Sequence, residues 1–322
     1  MATPRITVLG SLNIDLVSYV PHHPLPGETL TASSFAVSPG GKGANQAVAC
    51  AKLSFNRQTN HKSADVYMVG AVGDDSYGTL LRENMSRNGV IVDGVTVGKG
   101  LKTGIAIIVV DEPTGQNRII LSPEANHSLK PEAFTAEKFD ESLGVGREPD
   151  LLILQLEIPL ETVLQVIKTA REKGVKVLLN PAPAVKLPDW VYEGLEHLVV
   201  NETEASVLGG VEESVLDTEE GLERVSRGFV KKGARNVIVT LGGRGVYYMS
   251  AEGKKGLVPA QKAKVVDTTA AGDTSVGQYA LEAVQKGEFD IEAAVRKANR
   301  AGAKAVERLG AQDSIPYGDE LE

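Results

Sequence analysis

The chain has one cysteine, one tryptophan and only 5% aromatic residues among its 322 residues. A single thiol, Cys50, cannot build an internal disulfide framework and suits a reducing compartment. It lies in an Ala-rich helical stretch and reads as a core residue. No run reaches the roughly 18 apolar residues of a membrane span. Positive charge is also short. The 34 Lys and Arg against 42 Asp and Glu leave a net charge of −8, with no Lys/Arg-rich run. That argues against non-specific binding to nucleic acid or to an anionic membrane. It leaves room for an anionic small ligand, because a local site can be positive inside an acidic chain. Residues 1–5 lead straight into a strand-like segment, with neither the basic nor the apolar region of a signal peptide. The expectation is a soluble cytoplasmic protein, with entry to the nucleus left open.

What is abundant is glycine. The 34 glycines exceed the usual share of roughly 7%, and several are clustered. Prolines and glycines bound four extended runs, two within 12–37 and two within 102–122. From Asp150 onward, apolar strands such as Leu151–Leu156 and Asn236–Leu241 alternate with capped helices such as Glu161–Glu172, and Asp75, Thr218 and Asp290 read as helix N-caps. That rhythm predicts an α/β fold, a mostly parallel sheet with helices on both faces. The four β runs interrupt it as two insertions. Isolated hairpins would be marginal in water, so they are expected to form one small β lid together. The expected division is a body of 1–11, 38–101 and 123–322 and a lid of 12–37 and 102–122.

Five segments and the single residue Glu157 could carry chemistry. Asp267-Thr-Thr-Ala-Ala-Gly-Asp-Thr274 follows a strand-like Ala263–Val266 and precedes a helix expected over Ser275–Lys286. Small residues at Ala270, Ala271 and Gly272 leave backbone amides uncovered at a helix start, an anion site. Asp273 would repel a bound phosphate but could take the proton of an alcohol while those amides hold charge. Spacing alone leaves it open between that base and a helix cap. Gly40-Gly-Lys-Gly-Ala-Asn45 is neither a P-loop nor a dinucleotide fingerprint. Gly41 and its neighbours allow close approach of backbone, and Lys42 and Asn45 add donors. A ligand loop is the better reading.

Asn13 and Asp15 share one face of a strand with Ser11. They suit vicinal sugar hydroxyls or a solvent-facing edge. Asn201 and Glu204 could contact a phosphate and a water-linked Mg²⁺, or form a polar helix cap. Thr240-Leu241-Gly242-Gly243-Arg244-Gly245 is a nucleotide loop or a glycine hairpin. Glu157, after the strand Leu151–Leu156, lies at the strand end where α/β ligand sites form, or is a first-turn acid.

Together these segments resemble the ribokinase branch of the phosphofructokinase-B carbohydrate kinases, in the right order over nearly the whole chain. The resemblance implies a Rossmann-like body, a β lid that closes over a sugar, and a homodimer through that lid. It implies D-ribose as the sugar, ATP as the phosphoryl donor and Mg²⁺. Asn13, Asp15, Gly41, Lys42, Asn45 and Glu157 match the sugar contacts. Asp273 matches the base, and Gly272 with its neighbours the anion hole. Asn201, Thr240–Gly245 and Asn299 match nucleotide contacts, and Glu204 the Mg²⁺-linked acid. A monovalent-cation site, usually potassium, is matched by Asp267 and Thr269 on one side and Ala305, Arg308, Gly310 and Ser314 on the other. Ser275 stands where an aromatic is usual, Glu124 where a glycine is usual, and Asn56–Ser63 is an extension. The alternatives are a kinase of another sugar or a nucleoside, and a silent sugar or nucleotide sensor.

Overall fold

A computed structural model describes residues 2–143 and 147–321. The expected body bounds also take in Met1, 144–146 and Glu322, which lie outside the described residues.

The first half runs β1 (Arg5–Leu9), β2 (Asn13–Val20), β3 (Ser34–Gly40), α1 (Lys42–Ser54), β4 (Phe55–Asn56), β5 (His61–Lys62), β6 (Asp65–Gly73), α2 (Ser76–Arg87), β7 (Ile91–Gly98), β8 (Gly104–Asp111) and β9 (Asn117–Ser122). The second runs α3 (Phe139–Ser142), β10 (Leu151–Leu154), α4 (Leu160–Lys173), β11 (Val177–Leu179), β12 (His197–Asn201), α5 (Glu202–Gly209), α6 (Glu219–Lys232), β13 (Asn236–Thr240), β14 (Val246–Ser250), β15 (Lys255–Val258), α7 (Ala271–Ala283) and α8 (Ile291–Ala305).

Nine strands form one sheet in the order β15-β14-β13-β12-β11-β10-β1-β6-β7. The pairs from β13 through β7 are parallel, and β14 and β15 close one edge antiparallel. Strands β1, β10 and β11 are buried along their whole length. That matches the unbroken apolar sequences of β10 and β11, because helices cover both faces of a parallel sheet. Ile6 and Val8 pack with Val48, Tyr279 and Val295 of α1, α7 and α8 on one face. Leu9, Leu152 and Leu154 pack with Val166 and Phe229 of α4 and α6 on the other.

The four inserted runs form one sheet in the order β3-β2-β8-β9, with a parallel β2–β8 pair between two antiparallel pairs. The helix caps expected at Asp75, Thr218 and Asp290 are present, each side chain accepting from a backbone amide of the first turn.

Three expectations are corrected. Ala263–Val266 forms no strand. Val265 is exposed there, and the amides of Val266 and Asp267 both donate to Val306 O instead of to a sheet. The helix expected from Ser275 starts four residues earlier, at Ala271, because Thr274 N donates to Ala270 O at 2.8 Å. Strands β7 and β15 were not expected. Asn56–Ser63 contains the turn of the short β4–β5 hairpin.

Candidate active site

Strand β1 is the point where the chain order reverses, with β6 on one side and β10 on the other. In such a sheet the ligand crevice lies outside the carboxyl ends of the strands. Glu157 follows the end of β10, Asn180 that of β11, Asn201 ends β12 and Thr240 ends β13. A cavity of about 240 Å³ there is lined by Lys42, Asn180, Asn201, Glu204, Thr240 and Asp273, among others. A larger cavity, about 600 Å³, between α1, α7, α8 and the β4–β5 hairpin holds none of the expected site residues. Volume therefore does not select the site; the convergence of charged groups does.

The glycine loop places α1 beside the end of β1. Gly41 has φ 87°, and a Cβ there would lie 2.7 Å from Asn13 N, so only glycine makes this turn without displacing β2. Lys42 N donates to Glu157 Oε2 at 3.0 Å, and Ser11 Oγ donates to the same oxygen at 2.5 Å. Glu157 thus pins the start of α1 to the end of β1. Asn13 Oδ1 accepts from Asn126 Nδ2 at 2.8 Å, and Asn126 also bridges the backbone of Leu12. Asn126 had no assigned role in the sequence. Two residues before it, Glu124 has φ 47°, the left-handed region that glycine favours.

Asp273 is the third residue of α7, one turn past the cap position held by Ala270. Ala270 is itself left-handed, at φ 58°, a cost a non-glycine residue bears at few places. Asn45 Nδ2 donates to Asp273 Oδ2 at 3.1 Å, and Gln46 Nε2 to Asp273 Oδ1 at 2.9 Å. The carboxylate is therefore clamped by α1 and does not cap its own helix. Of the small-residue amides, that of Ala271 donates to Thr268 O at 3.3 Å. Those of Gly272 and Asp273 are first-turn donors with no acceptor in their own helix. A Cβ on Gly272 would meet nothing within 4 Å, so its face of the cavity is open.

The electrostatics follow from one ammonium among four carboxylates. Burial alone would lower the Lys42 pKa, but Asp273, Glu157 and Glu204 push it above the ordinary lysine value. Burial, then Glu157, then Asp273 raise Asp15 to about 7. Burial also raises Glu204, against the Asn201 amide and Lys42, which lower it. Glu204 and Asn201 form a reciprocal cap: Asn201 N donates to Glu204 Oε2 at 2.9 Å, and Glu204 N to Asn201 Oδ1 at 2.7 Å. The cap and a place in the cavity wall are thus compatible.

Not every expected residue reaches the cavity. Arg244 turns to the Leu216 carbonyl and Glu202. The three residues Gly242–Arg244 form a 3₁₀ turn ahead of β14, and Leu241 before it is buried. Gly245 N donates back to Gly242 O, closing that turn. Asn299 donates to Pro259 O at 2.8 Å. Ser275 Oγ donates to Ala271 O at 3.0 Å and lies where a Cβ on Gly302 would sit.

Asp267 is held apart from the base. Its Oδ1 accepts from Thr269 N at 2.9 Å and Thr269 Oγ1 at 2.6 Å, and its Oδ2 from Gly310 N at 2.9 Å. Burial works to raise its pKa, and these bonds outweigh it, so the net shift is downward. Arg308 turns its guanidinium to Glu320, and Ser314 donates to Ala311 O at 2.8 Å. Arg308 N donates to Ala305 O at 3.1 Å at the end of α8. Among the described residues no three His, Cys, Asp or Glu side chains form a metal cluster. The Asp267 carboxylate and the Thr269 hydroxyl beside it are hard oxygen donors.

Residues 3–317 match the family model of the pfkB family carbohydrate kinases, and the chain belongs to that family. It is 40% identical to the ribokinase of Schizosaccharomyces pombe over 315 residues, 97% of this chain and 95% of that one. It is 37% identical to the deoxyribokinase of Salmonella typhimurium over 312 residues, 97% and 95% of the two chains. The structure of Arabidopsis thaliana ribokinase complexed with ribose and ATP superposes with a TM-score of 0.85 at 30% identity, covering 99% and 98% of the two chains.

Proposed function

We propose that this chain transfers the γ-phosphoryl group of ATP to D-ribose, giving D-ribose 5-phosphate and ADP. The observation that carries this reading is Asp273. Its carboxylate is clamped by Asn45 and Gln46 at the first turn of α7 inside the strand-end cavity. Likeness to ribokinases over nearly the whole chain supports the choice of sugar.

Asn13, Asp15, Gly41, Lys42, Asn45 and Glu157 bind and orient the sugar. Asp273 takes the proton from the attacking hydroxyl. The amides of Gly272 and Asp273, at the positive end of α7, hold charge on the transferring group, and Lys42 adds a cation. Positioning and electrostatics carry most of such a reaction. Asn201 and the strand end at Thr240 bind the nucleotide side, with Asn299 and the turn through Gly245 behind them.

Two ions belong to the proposal. Mg²⁺ would be held by the phosphates with Glu204 reached through water, and it would neutralise phosphate charge. A monovalent cation, potassium in the first instance, suits the donor set of Asp267 with the backbone around Thr269, Ala305, Arg308, Gly310 and Ser314. The outer residues of the small sheet support a homodimer. Phe35, Val37, Ile107 and Ile120 fall on one face of that sheet by the strand register and are 60%, 44%, 42% and 63% exposed, a cluster of the kind that marks an interaction surface. Sedimentation of an Ile120→Asp variant as a monomer, against a dimeric parent, tests it. A cytoplasmic location completes the reading, in keeping with ATP as donor and a buried free thiol at Cys50.

A coupled ADP-release assay across ribose, 2-deoxyribose, fructose, 2-keto-3-deoxygluconate and adenosine tests the function. The highest kcat/KM is expected for ribose. The identity to a deoxyribokinase makes 2-deoxyribose the runner-up. A higher kcat/KM for it would reassign the substrate, and ribose binding without ADP release would make the chain a sensor.

A further inference from the structure

The two oxygens of Asp273 are each served by one amide, and each amide is held from behind by a glutamine. On one side Asn45 Nδ2 donates to Asp273 Oδ2, and Gln312 Nε2 donates to Asn45 Oδ1 at 3.0 Å. The Gln312 Oε1 in turn accepts from Asn84 Nδ2 of α2 at 2.6 Å. On the other side Gln46 Nε2 donates to Asp273 Oδ1 and to Asn180 Oδ1, both at 2.9 Å, and Gln155 Nε2 donates to Gln46 Oε1 at 2.6 Å. Asn45, Gln46, Gln155 and Gln312 are all buried.

Only the nitrogen end of an amide can face a carboxylate. The charge on Asp273, joined at Gln46 by the Asn180 oxygen, therefore sets which way Asn45 and Gln46 point, leaving each oxygen end to face outward. A donor is needed behind each of them, and a glutamine supplies it in both cases. On the Gln155 side this has a visible cost, because its own Oε1 is buried without a hydrogen-bond partner among the described residues. Gln312 is also anchored by its backbone, whose carbonyl accepts from Lys52 Nζ at 3.1 Å. It stands two residues after Gly310, which bonds Asp267.

We infer that Gln312 and Gln155 are positioning residues for the phosphoryl-transfer base: they fix the polarity of the Asn45 and Gln46 amides and thereby the orientation of the Asp273 carboxylate. The inference rests on the reading of Asp273 as that base. It ties the C-terminal segment 310–314 to the base through two amides, without any contact between that segment and substrate.

The test compares Gln312→Met, which keeps the size and removes the donor, with Gln312→Glu, which keeps the acceptor for Asn84 and cannot donate to Asn45 when ionised. Gln155→Met serves as the parallel arm. The parent is first shown to phosphorylate its sugar; if it does not, the functional reading fails before this one is reached. In an active parent, kcat is expected to fall about 10–100-fold in either Gln312 variant, the scale of losing the charge-assisted bond from Asn45 to Asp273 once the Asn45 amide is free to turn. The KM for sugar and for ATP should stay within about threefold, measured well below each variant's melting temperature. Gln155→Met should lower kcat in the same way. An unchanged kcat in a folded Gln312→Met protein overturns the inference. So does a loss confined to melting temperature, or a rise in sugar KM with kcat intact, since those mark a packing role or a sugar-binding role.

Discussion

The carboxylate of Asp15 occupies the space beside Gly40: a Cβ at Gly40 would lie 2.2 Å from Asp15 Oδ2 and 2.4 Å from Oδ1. The two are not quite opposite in the β2–β3 ladder, where Gly40 pairs with Asn13 and Asp15 with Ser38. The missing side chain at Gly40 thus makes room for a carboxylate near the base of the lid. Gly40→Ala should push Asp15 aside. The expected result is a loss of sugar kcat/KM of about 10–100-fold, the usual scale for an ångström of misplacement. Stability should fall by about 1–3 kcal/mol from overpacking. Steady-state kinetics with a thermal melt check both, and an alanine variant with parental kcat/KM would show that the space is not needed.

Asp15 also makes a pH prediction with a definite sign. Its folded pKa is raised to about 7 by burial and by the neighbouring Glu157 and Asp273. The folded state then holds a proton between the ordinary carboxylate value and 7 that the unfolded state does not. Stability therefore falls as pH rises through that window and is flat above it. Asp15→Asn should raise the melting temperature at pH 8, by about 2 kcal/mol of stability or less, and have little effect near pH 4. Sugar affinity should move the other way. The ionised carboxylate is the better acceptor for two hydroxyls, so kcat/KM for sugar should rise through about pH 7 in the parent. Parallel melts and pH–rate profiles would separate the two effects.

For Asp273 the expected outcome is a fall in kcat of about 10²–10⁴ on substitution to Asn, the range of a lost general base. The fold should persist, because one of the Asn45 and Gln46 donors still meets an oxygen there and the mismatch left at the other costs only about 1–3 kcal/mol. Near-parental turnover in a folded Asp273→Asn protein would sink the assignment.

Much of this was legible in the chain order, and the reasons differ by element. The buried strands β1, β10 and β13 were visible because a two-faced parallel sheet demands short segments rich in apolar and β-branched residues. The caps at Asp75, Thr218 and Asp290 were visible because they act locally. Ala263–Val266 has strand composition but no neighbour to pair with, which no local pattern reveals. The Gln312–Asn45–Asp273 chain spans residues far apart in sequence, and glutamines carry no motif. Spacing could not decide whether Asp273 caps its helix. The left-handed Ala270, which places the cap three residues earlier, decides that it does not.

The last prediction concerns Asp267. Its carboxylate gathers Thr269 and Gly310, which lie on either side of the proposed cation site, through three hydrogen bonds. Oδ2 accepts only the Gly310 bond and keeps a lone pair beyond it, so a cation could share the same carboxylate. Such an ion would hold the 267–273 loop in place without touching substrate. Replacing potassium by lithium should therefore lower kcat in the parent. Asp267→Asn puts an amide donor against Thr269 or Gly310, both of which already donate. It should lower kcat about 10–100-fold, as for other groups that orient a site from behind, and should flatten the response to potassium. The decisive measurement is turnover in potassium, sodium and lithium for both proteins. Equal parental rates and sugar KM in all three would remove the cation from the site, while leaving Asp267 as a loop brace whose loss costs stability alone.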